Sequence, residues 1–228
     1  MRLPLCVAAT LAILSCNARA ADAEQLARLA PKIRPSVIQE ALSAMHCAQN
    51  HGVGNSASRL AIIDYTLSSR VPRLWVFDLK LGKLIYEELV AHGQGSGNDV
   101  PTQFSDRDGS HQSSLGLFLT DDTYQGGNGY SLRLKGLSRG FNESAFRRLI
   151  VMHGAPYVNP LTAQAMGRLG RSWGCPAVRR EVAKPMIDLL KQGQFIYSHG
   201  PGTEKLSQCR TENLAITLPA DTAGQHSP

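Results

Sequence analysis

His153-Gly154 is followed, after seventeen intervening residues, by Ser172-Trp173-Gly174-Cys175. An imidazole and a glycine-flanked thiol are the two parts a cysteine nucleophile needs. A thiol with an ordinary pKa of ~8.5 is mostly protonated at neutral pH, and a nearby imidazole can take up its proton. Gly174 has no Cβ, so it permits a sharp turn that exposes the sulfur. Such a turn leaves the backbone N–H groups of Trp173, Gly174 and Cys175, with Gly154 across from them, as candidate oxyanion and backbone contacts. The run Leu149-Ile150-Val151-Met152 leads straight into His153, which places the imidazole at the end of a rigid strand. Cys175 falls in a loop before a helix. His51, His92 and His199 are also followed by glycine, so the signal lies in the pairing with Cys175 and not in the dipeptide. No acidic residue is close to His153 in sequence, and a backbone carbonyl, that of Gly154, is expected to orient the ring through its other nitrogen.

The elements that must hold this pair read as a strand-rich chain with few helices. Ser36 to Gln49 is an amphipathic helix, with Ser36 and Gln39 as a capping box, Ile38, Leu42 and Met45 on one face, and Gly52 past its end. From Arg59 the period changes. Leu60 to Tyr65, Leu74 to Leu79 and Leu84 to Ala91 are short runs rich in branched and aromatic residues, and Leu81-Gly82 predicts a hairpin between the last two. Leu115 to Thr120, Tyr130 to Leu134, Leu149 to His153 and Phe195 to Ser198 extend the pattern. His92 to Ser114 reads as a long functional or mobile loop, with Gly93, Gly95, Gly97 and Gly109 and almost no apolar anchor. Arg179 to Gln192 reads as helical, with Pro185 in the first turn of its better-formed second half. The tail from Gly200 has little periodicity and is expected to be poorly ordered unless Cys209 tethers it.

The 228 residues suffice for one well-buried domain plus appendages. Arg2, the apolar stretch Leu3 to Leu14 and Ala18-Arg19-Ala20 have the order of a secretory signal, with cleavage expected after Ala20. Ile13-Leu14-Ser15-Cys16 loosely resembles a lipobox, so lipidation at Cys16 is the alternative. That stretch is too short to span a bilayer comfortably, and no later segment reaches the ~20 apolar residues a membrane helix needs. Loss of Arg2 and Arg19 lowers the formal net charge from +6 to +4. This mild basicity suits weak attraction to an anionic wall polymer, and the absence of a dense Lys/Arg run argues against nucleic acid. After cleavage Cys47, Cys175 and Cys209 remain in a disulfide-permissive compartment. The simplest assignment bridges Cys47 to Cys209 and leaves the nucleophile free; two further single thiols are the alternative.

Together with Leu74-Trp75-Val76-Phe77-Asp78-Leu79, Val90-Ala91-His92-Gly93, Ser114-Leu115-Gly116, Gly129-Tyr130-Ser131-Leu132-Arg133-Leu134 and Gly167-Arg168-Leu169-Gly170-Arg171-Ser172-Trp173-Gly174-Cys175-Pro176, the His-Gly and Gly-Cys pair resembles the YkuD-like L,D-transpeptidases, in the branch of the murein L,D-transpeptidase catalytic domain. The likeness covers about residues 36 to 200. It implies an α+β, mainly β fold, a β-sandwich or mixed-sheet catalytic domain with an N-terminal helix and a helix after the nucleophile. The expected layout is a signal peptide over 1–20, a helical appendage over 21–57, the catalytic domain over 58–202 and a tail over 203–228. Two departures stand out. Trp173 replaces the second His of the common Ser/Thr-His-Gly-Cys signature, and Cys175-Pro176-Ala177-Val178-Arg179 replaces Cys-hydrophobic-Arg, so the role of that Arg is not transferred to Arg179.

The resemblance implies that Cys175 attacks a diaminopimelate carbonyl of a peptidoglycan tetrapeptide stem, with His153 taking the thiol proton and D-Ala leaving. An amine of a second stem then resolves the thioester into a crosslink; water would give carboxypeptidase activity. No cofactor or metal is needed, and the protein is expected to be a monomer acting on stem peptides outside the cytoplasm. Arg133, Arg168 and Arg171 are candidates for stem carboxylates, Arg171 foremost because it adjoins the motif with Ser172. Their plain reading is surface ion pairs. Tyr130 reads as a cleft residue or a half-buried strand tyrosine. His92 ends a strand at the mouth of the glycine-rich loop, where a structural hydrogen bond is the better reading. Trp173 either packs over a stem peptide or walls off the thiol. The competing functions are lipoprotein attachment or release by the same chemistry, a zinc peptidase using His92, His111, His153 and Cys175, and a non-catalytic wall-binding module.

Overall fold

The computed structural model describes residues 22–215. The predicted signal segment, Cys16 and the tail beyond Ala215 lie outside the described residues. The described residues fold around one eight-stranded mixed sheet with four α-helices. The helices are α1 (Ala23–Leu29), α2 (Pro35–Asn50), α3 (Pro160–Met166) and α4 (Arg180–Leu190). The strands are β1 (Arg59–Asp64), β2 (Leu74–Asp78), β3 (Lys83–Glu88), β4 (Gly116–Gly126), β5 (Gly129–Gly136), β6 (Val151–Gly154), β7 (Ala177–Val178) and β8 (Phe195–His199). Their order is β3-β2-β1-β8-β4-β5-β6-β7, antiparallel except for the β1/β8 and β6/β7 pairs.

Alternation along the central strands gives the sheet two buried faces. Leu60, Ile62, Trp75, Phe77, Phe195 and Tyr197 belong to one core with Val37, Ile38, Ala41 and Met45 of α2 and Leu26 of α1. Ala61, Ile63, Val76, Leu132, Met152 and Ile196 belong to the other, with Met186, Ile187 and Leu190 of α4. The N-terminal helices, read from sequence as an appendage, therefore form a full layer of the core.

Several local expectations are corrected. Helix α2 begins at Pro35, whose fixed φ suits the first helical position, and Arg34 caps it without a side-chain bond, so the Ser36/Gln39 capping box is absent. Helix α4 runs unbroken past Pro185, which gives up one backbone hydrogen bond, while Ala183, Met186, Ile187 and Leu190 hold the turns on either side in the core. Strand β4 is longer than its apolar run. It forms a hairpin with β5 that carries a bulge between Thr120 and Thr123 and turns at Gly126–Gly129. Leu149, expected in a strand, has φ +56° and is exposed. It forms the corner before β6. Helices α1 and α3 had no expected counterpart; Asp22 and Asn159 cap them through side-chain oxygens.

The 92–114 loop is fastened by polar groups where apolar ones are missing. Ser96 and Ser113 are fully buried or nearly so; Ser96 Oγ accepts from Ser113 N at 2.9 Å, and Ser113 Oγ accepts from Gly93 N at 3.0 Å. The C-terminal segment is likewise held. Cys209 is bonded to Cys47 of α2 across 162 residues of sequence, and Ala215 N donates to Leu137 O at 2.9 Å. Closing so long a loop restricts the unfolded chain, so Cys47→Ser or Cys209→Ser should cost about 2–5 kcal/mol in reversible unfolding. Thiol titration of the native protein lacking residues 1–20, and with them Cys6 and Cys16, should then count one free group, Cys175; unchanged stability in both variants, or three free thiols, would remove the bridge from the fold.

Candidate active site

The turn that carries Cys175 is pinned at both ends to the segment after β3. Ala91 N donates to Ala177 O at 2.8 Å, Ser172 N to His92 O at 3.0 Å, and Gln94 N to Ser172 O at 2.8 Å. Residues 173–176 have no partner on that segment and bow outward, which projects the sulfur. Gly174 holds φ +118°, and a Cβ there would lie 2.8 Å from Gln112 O. A Cβ on Gly93 would meet Gly174 Cα at 2.8 Å and His111 O at 2.3 Å. Both glycines are required by the close approach of three backbone segments. Ser172 ties the inside of the turn: its hydroxyl donates to Cys175 O at 2.6 Å and accepts from Gly174 N at 3.1 Å. The Gly174 N–H is thus already used, a correction to its place among the oxyanion donors. The backbone N–H groups of Trp173 and Cys175 have no hydrogen-bond partner among the described residues.

His153 ends β6, paired with Ser131 of β5 on one side and Ala177 of β7 on the other. Its Nδ1 lies 3.1 Å from Gly154 O. A carbonyl can only accept, so Nδ1 carries the proton and Nε2 is bare. Burial lowers the His153 pKa below that of an ordinary imidazole, opposed by the bond to Gly154. Burial also raises the Cys175 thiol, countered by a Val151 backbone contact and by the charge of Arg148. Both groups line one cavity of about 450 Å³ with Asn128, Arg148, Leu149, Tyr157, Arg171, Ser172 and Trp173.

The other candidates divide. Arg171 reaches this wall, but its guanidinium is held by Gly97 O at 2.7 Å and Asn98 Oδ1 at 3.3 Å. Arg168 donates to Leu169 O. Arg133 lies 4.4 Å over the Tyr124 ring and lines no cavity described here. His92 is buried, accepts from Arg73 at Nδ1 (2.8 Å) and is pushed down to about 4 by burial and by that guanidinium. It supports the loop and does not face the thiol cavity. Tyr130 lines a second cavity beyond His153 and donates to Asp188 at 2.8 Å. Trp173 is 71% exposed, stacks on His111 with centroids 5.0 Å apart and forms part of the wall of the thiol cavity. The zinc reading fails on geometry. The three-ligand group that the described residues bring together is Cys47, His51 and Cys209, where the sulfurs are bonded to each other; His92, His111, His153 and Cys175 do not converge.

Arg148 escaped the sequence reading. Its side chain is 4% exposed and donates to Ser105 O (2.8 Å), Ser114 Oγ (2.5 Å), Ser110 Oγ (3.2 Å) and Gln112 O (2.9 Å). It thereby clamps the 105–114 strap against Gly174. Its only sequence signal is a cation placed directly before a buried strand.

A half-buried thiol and a buried imidazole oriented by a carbonyl thus line one cavity at the end of the mixed sheet. The chain belongs to the L,D-transpeptidase catalytic domain family (YkuD_2), whose model matches residues 29–199. No curated protein matches it significantly. Among solved structures, it is similar to an L,D-transpeptidase from Mycobacterium smegmatis (13% identity, TM-score 0.39, 63% of this chain and 59% of that one). It is also similar to the helical cell shape determining protein Pgp2 from Campylobacter jejuni (11% identity, TM-score 0.41, 74% and 60%). The chain spans about three fifths of the length of these structures.

Because the Arg148 charge favours the thiolate, Arg148→Met should raise the Cys175 pKa and move alkylation by iodoacetamide to higher pH. Arg148→Lys, which keeps the charge, should shift it less. Superimposable pH profiles for all three proteins would show that this charge does not reach the sulfur.

Proposed function

We propose that the protein is an exported peptidoglycan L,D-transpeptidase in which Cys175 is the nucleophile and His153 its base. The observation that carries this reading is the convergence, in one cavity, of the only free thiol among the described residues and an imidazole whose bare Nε2 is fixed by Gly154. Family membership supplies the reaction class. Cys175 attacks the carbonyl at the L-centre of diaminopimelate in the donor stem and forms a thioester, and D-Ala leaves. A second stem's amine resolves the acyl-enzyme into a crosslink; diaminopimelate and the first stem residue are the candidate acceptors. Water in place of that amine makes the same site a carboxypeptidase. Export rests on the signal-like N-terminus, with Ala21 as the first residue of the mature chain and the family's cell-wall chemistry as its destination. No helix among the described residues is long and apolar enough to cross a membrane.

The electrostatics define how the first step runs. With the thiol pKa raised and the imidazole pKa lowered, the resting pair is neutral thiol and neutral imidazole. The thiol proton therefore has still to pass to Nε2 in the course of acylation. The oxyanion forms near the unpaired N–H groups of Trp173 and Cys175, and one such donor contributes ~2.7–4 kcal/mol in other acyl-transfer enzymes.

Intact-mass analysis with a diaminopimelate tetrapeptide dimer should show an adduct on the wild type and none on Cys175→Ala, with D-Ala release and new crosslinked or tripeptide products. Turnover at the wild-type rate in Cys175→Ala or Cys175→Ser would end the assignment. A base must be neutral to accept a proton, and the His153 pKa lies below the ordinary ~6.5. The acid limb of the acylation rate should therefore fall below pH 6.5. His153→Ala should slow acylation and move its optimum to higher pH, where solvent hydroxide forms the thiolate; an unchanged profile would exclude His153 as the base.

A further inference from the structure

Two cavities meet at His153. The first, about 450 Å³, contains Cys175; the second, about 370 Å³, does not. Asn128, His153 and Tyr157 line both. An acyl group on Cys175 projects into the first. The amine on the other side of the scissile bond must exchange its proton with His153, and the second cavity is the other space that borders this ring.

The second cavity is bordered by one exposed cation, Arg180, that has no hydrogen-bond or ion-pair partner among the described residues. Arg179, beside it, is bound by Glu88 through Nε (3.0 Å) and a second nitrogen (2.5 Å). Lys184 pairs with Asp188 at 2.6 Å, and Asp188 also takes Tyr130 Oη at 2.8 Å and Lys191 at 3.0 Å. Arg180, the first residue of α4, lines the cavity one turn before Lys184 and makes no side-chain hydrogen bond or ion pair among the described residues. The adjacent acid, Glu181, shares a neighbouring hollow of about 280 Å³ with Arg180 but does not line this cavity, and no ion pair joins the two among the described residues. A planar guanidinium free at the wall of a cavity is matched by a carboxylate, which it binds through two parallel hydrogen bonds.

We propose that this cavity is the site for the amine partner of acyl transfer, and that Arg180 holds that partner's α-carboxylate. The proposal rests on the thioester reading given above. In the first step the Cys175 sulfur forms the C–S bond, the C–N bond to the terminal amino acid breaks, and the thiol proton passes through His153 to the departing amine. In the second step an amine attacks the thioester, the C–N bond forms, the C–S bond breaks, and the amine proton returns through His153 to the thiolate. Departing and attacking amines traverse the same transition-state region, so one carboxylate anchor serves both.

The test compares D-alanine with D-alaninamide, which lacks the carboxylate, as acceptors for the acylated full-length protein. The wild type should prefer D-alanine by about tenfold, the size expected of one charge-assisted pair. Arg180→Gln should use the two alike, and Arg180→Lys, with the charge but not the fork, should fall between. The same preference in Arg180→Gln, or none in the wild type, would overturn the proposal. A second measurement separates it from the thioester reading: in the Cys175→Ala protein, D-alanine but not D-alaninamide should shift the Arg180 Nε–H NMR signal. That shift without any wild-type adduct would retain the carboxylate site and reject the nucleophile. An adduct without shift or preference would do the reverse.

Discussion

The structure depends on a turn that is held at both ends and left free in the middle. Ser172 and Ala177 are bonded to residues 91–94, and the four residues between them make no hydrogen bond to that segment. Such a turn presents a thiol only if its interior does not collapse onto the sheet. Gly93 and Gly174 let the backbones touch, Ser113 Oγ donates to Gly174 O at 3.2 Å, and Arg148 presses the 105–114 strap from behind. Most of this scaffold consists of buried polar groups whose hydrogen bonds are nearly all made. Removing one partner leaves another buried and unpaired, a cost of about 1–3 kcal/mol for a neutral group and more for a charged one. The turn is therefore rigid for a reason other than apolar packing, and a loop almost devoid of apolar residues is nonetheless fixed.

The same burial that fixes the turn sets the chemistry. A low-dielectric wall opposes charge on both partners, which is why the thiol rises and the imidazole falls. A preformed ion pair would give a sulfur that reacts with many electrophiles. In the proposed reaction, a neutral pair is activated where a substrate carbonyl and the free N–H groups of the turn are in place to accept the developing charge. The Arg148 charge moderates this by lowering the thiol.

How much of this was legible in the sequence follows from what kind of interaction each part uses. The central strands and α2 were readable because apolar periodicity directly reports burial; β1, β2 and β8 fell within a residue or so of their expected bounds. The His153 strand end and the Cys175 loop were readable because glycine and strand signals surround them. Arg148 and the buried serines were not, because a serine bonded to a distant backbone group leaves no periodic trace. Helix α3 was missed since only Ala163 of its seven residues is buried, so it has no apolar stripe. The layer formed by α1 and α2 was underestimated for another reason. The pattern shows that a helix has an apolar face but not which sheet face receives it.

Trp173 shows the limit of carrying a motif across a family. In the common signature a second imidazole stands next to the nucleophile's glycine; here an indole does, stacked on His111 and turned to solvent. His153 is consequently the one imidazole lining the thiol cavity. Two imidazoles in such a space would repel each other's protonated forms and titrate as a coupled pair. With one, titration is governed by desolvation and by the single bond to Gly154, both fixed by the backbone of β6 and not by a neighbouring charge. The titration of this imidazole is thus set by its place in its strand, through the register of β6 against β5 and β7, and in the proposed mechanism that register prepares the base.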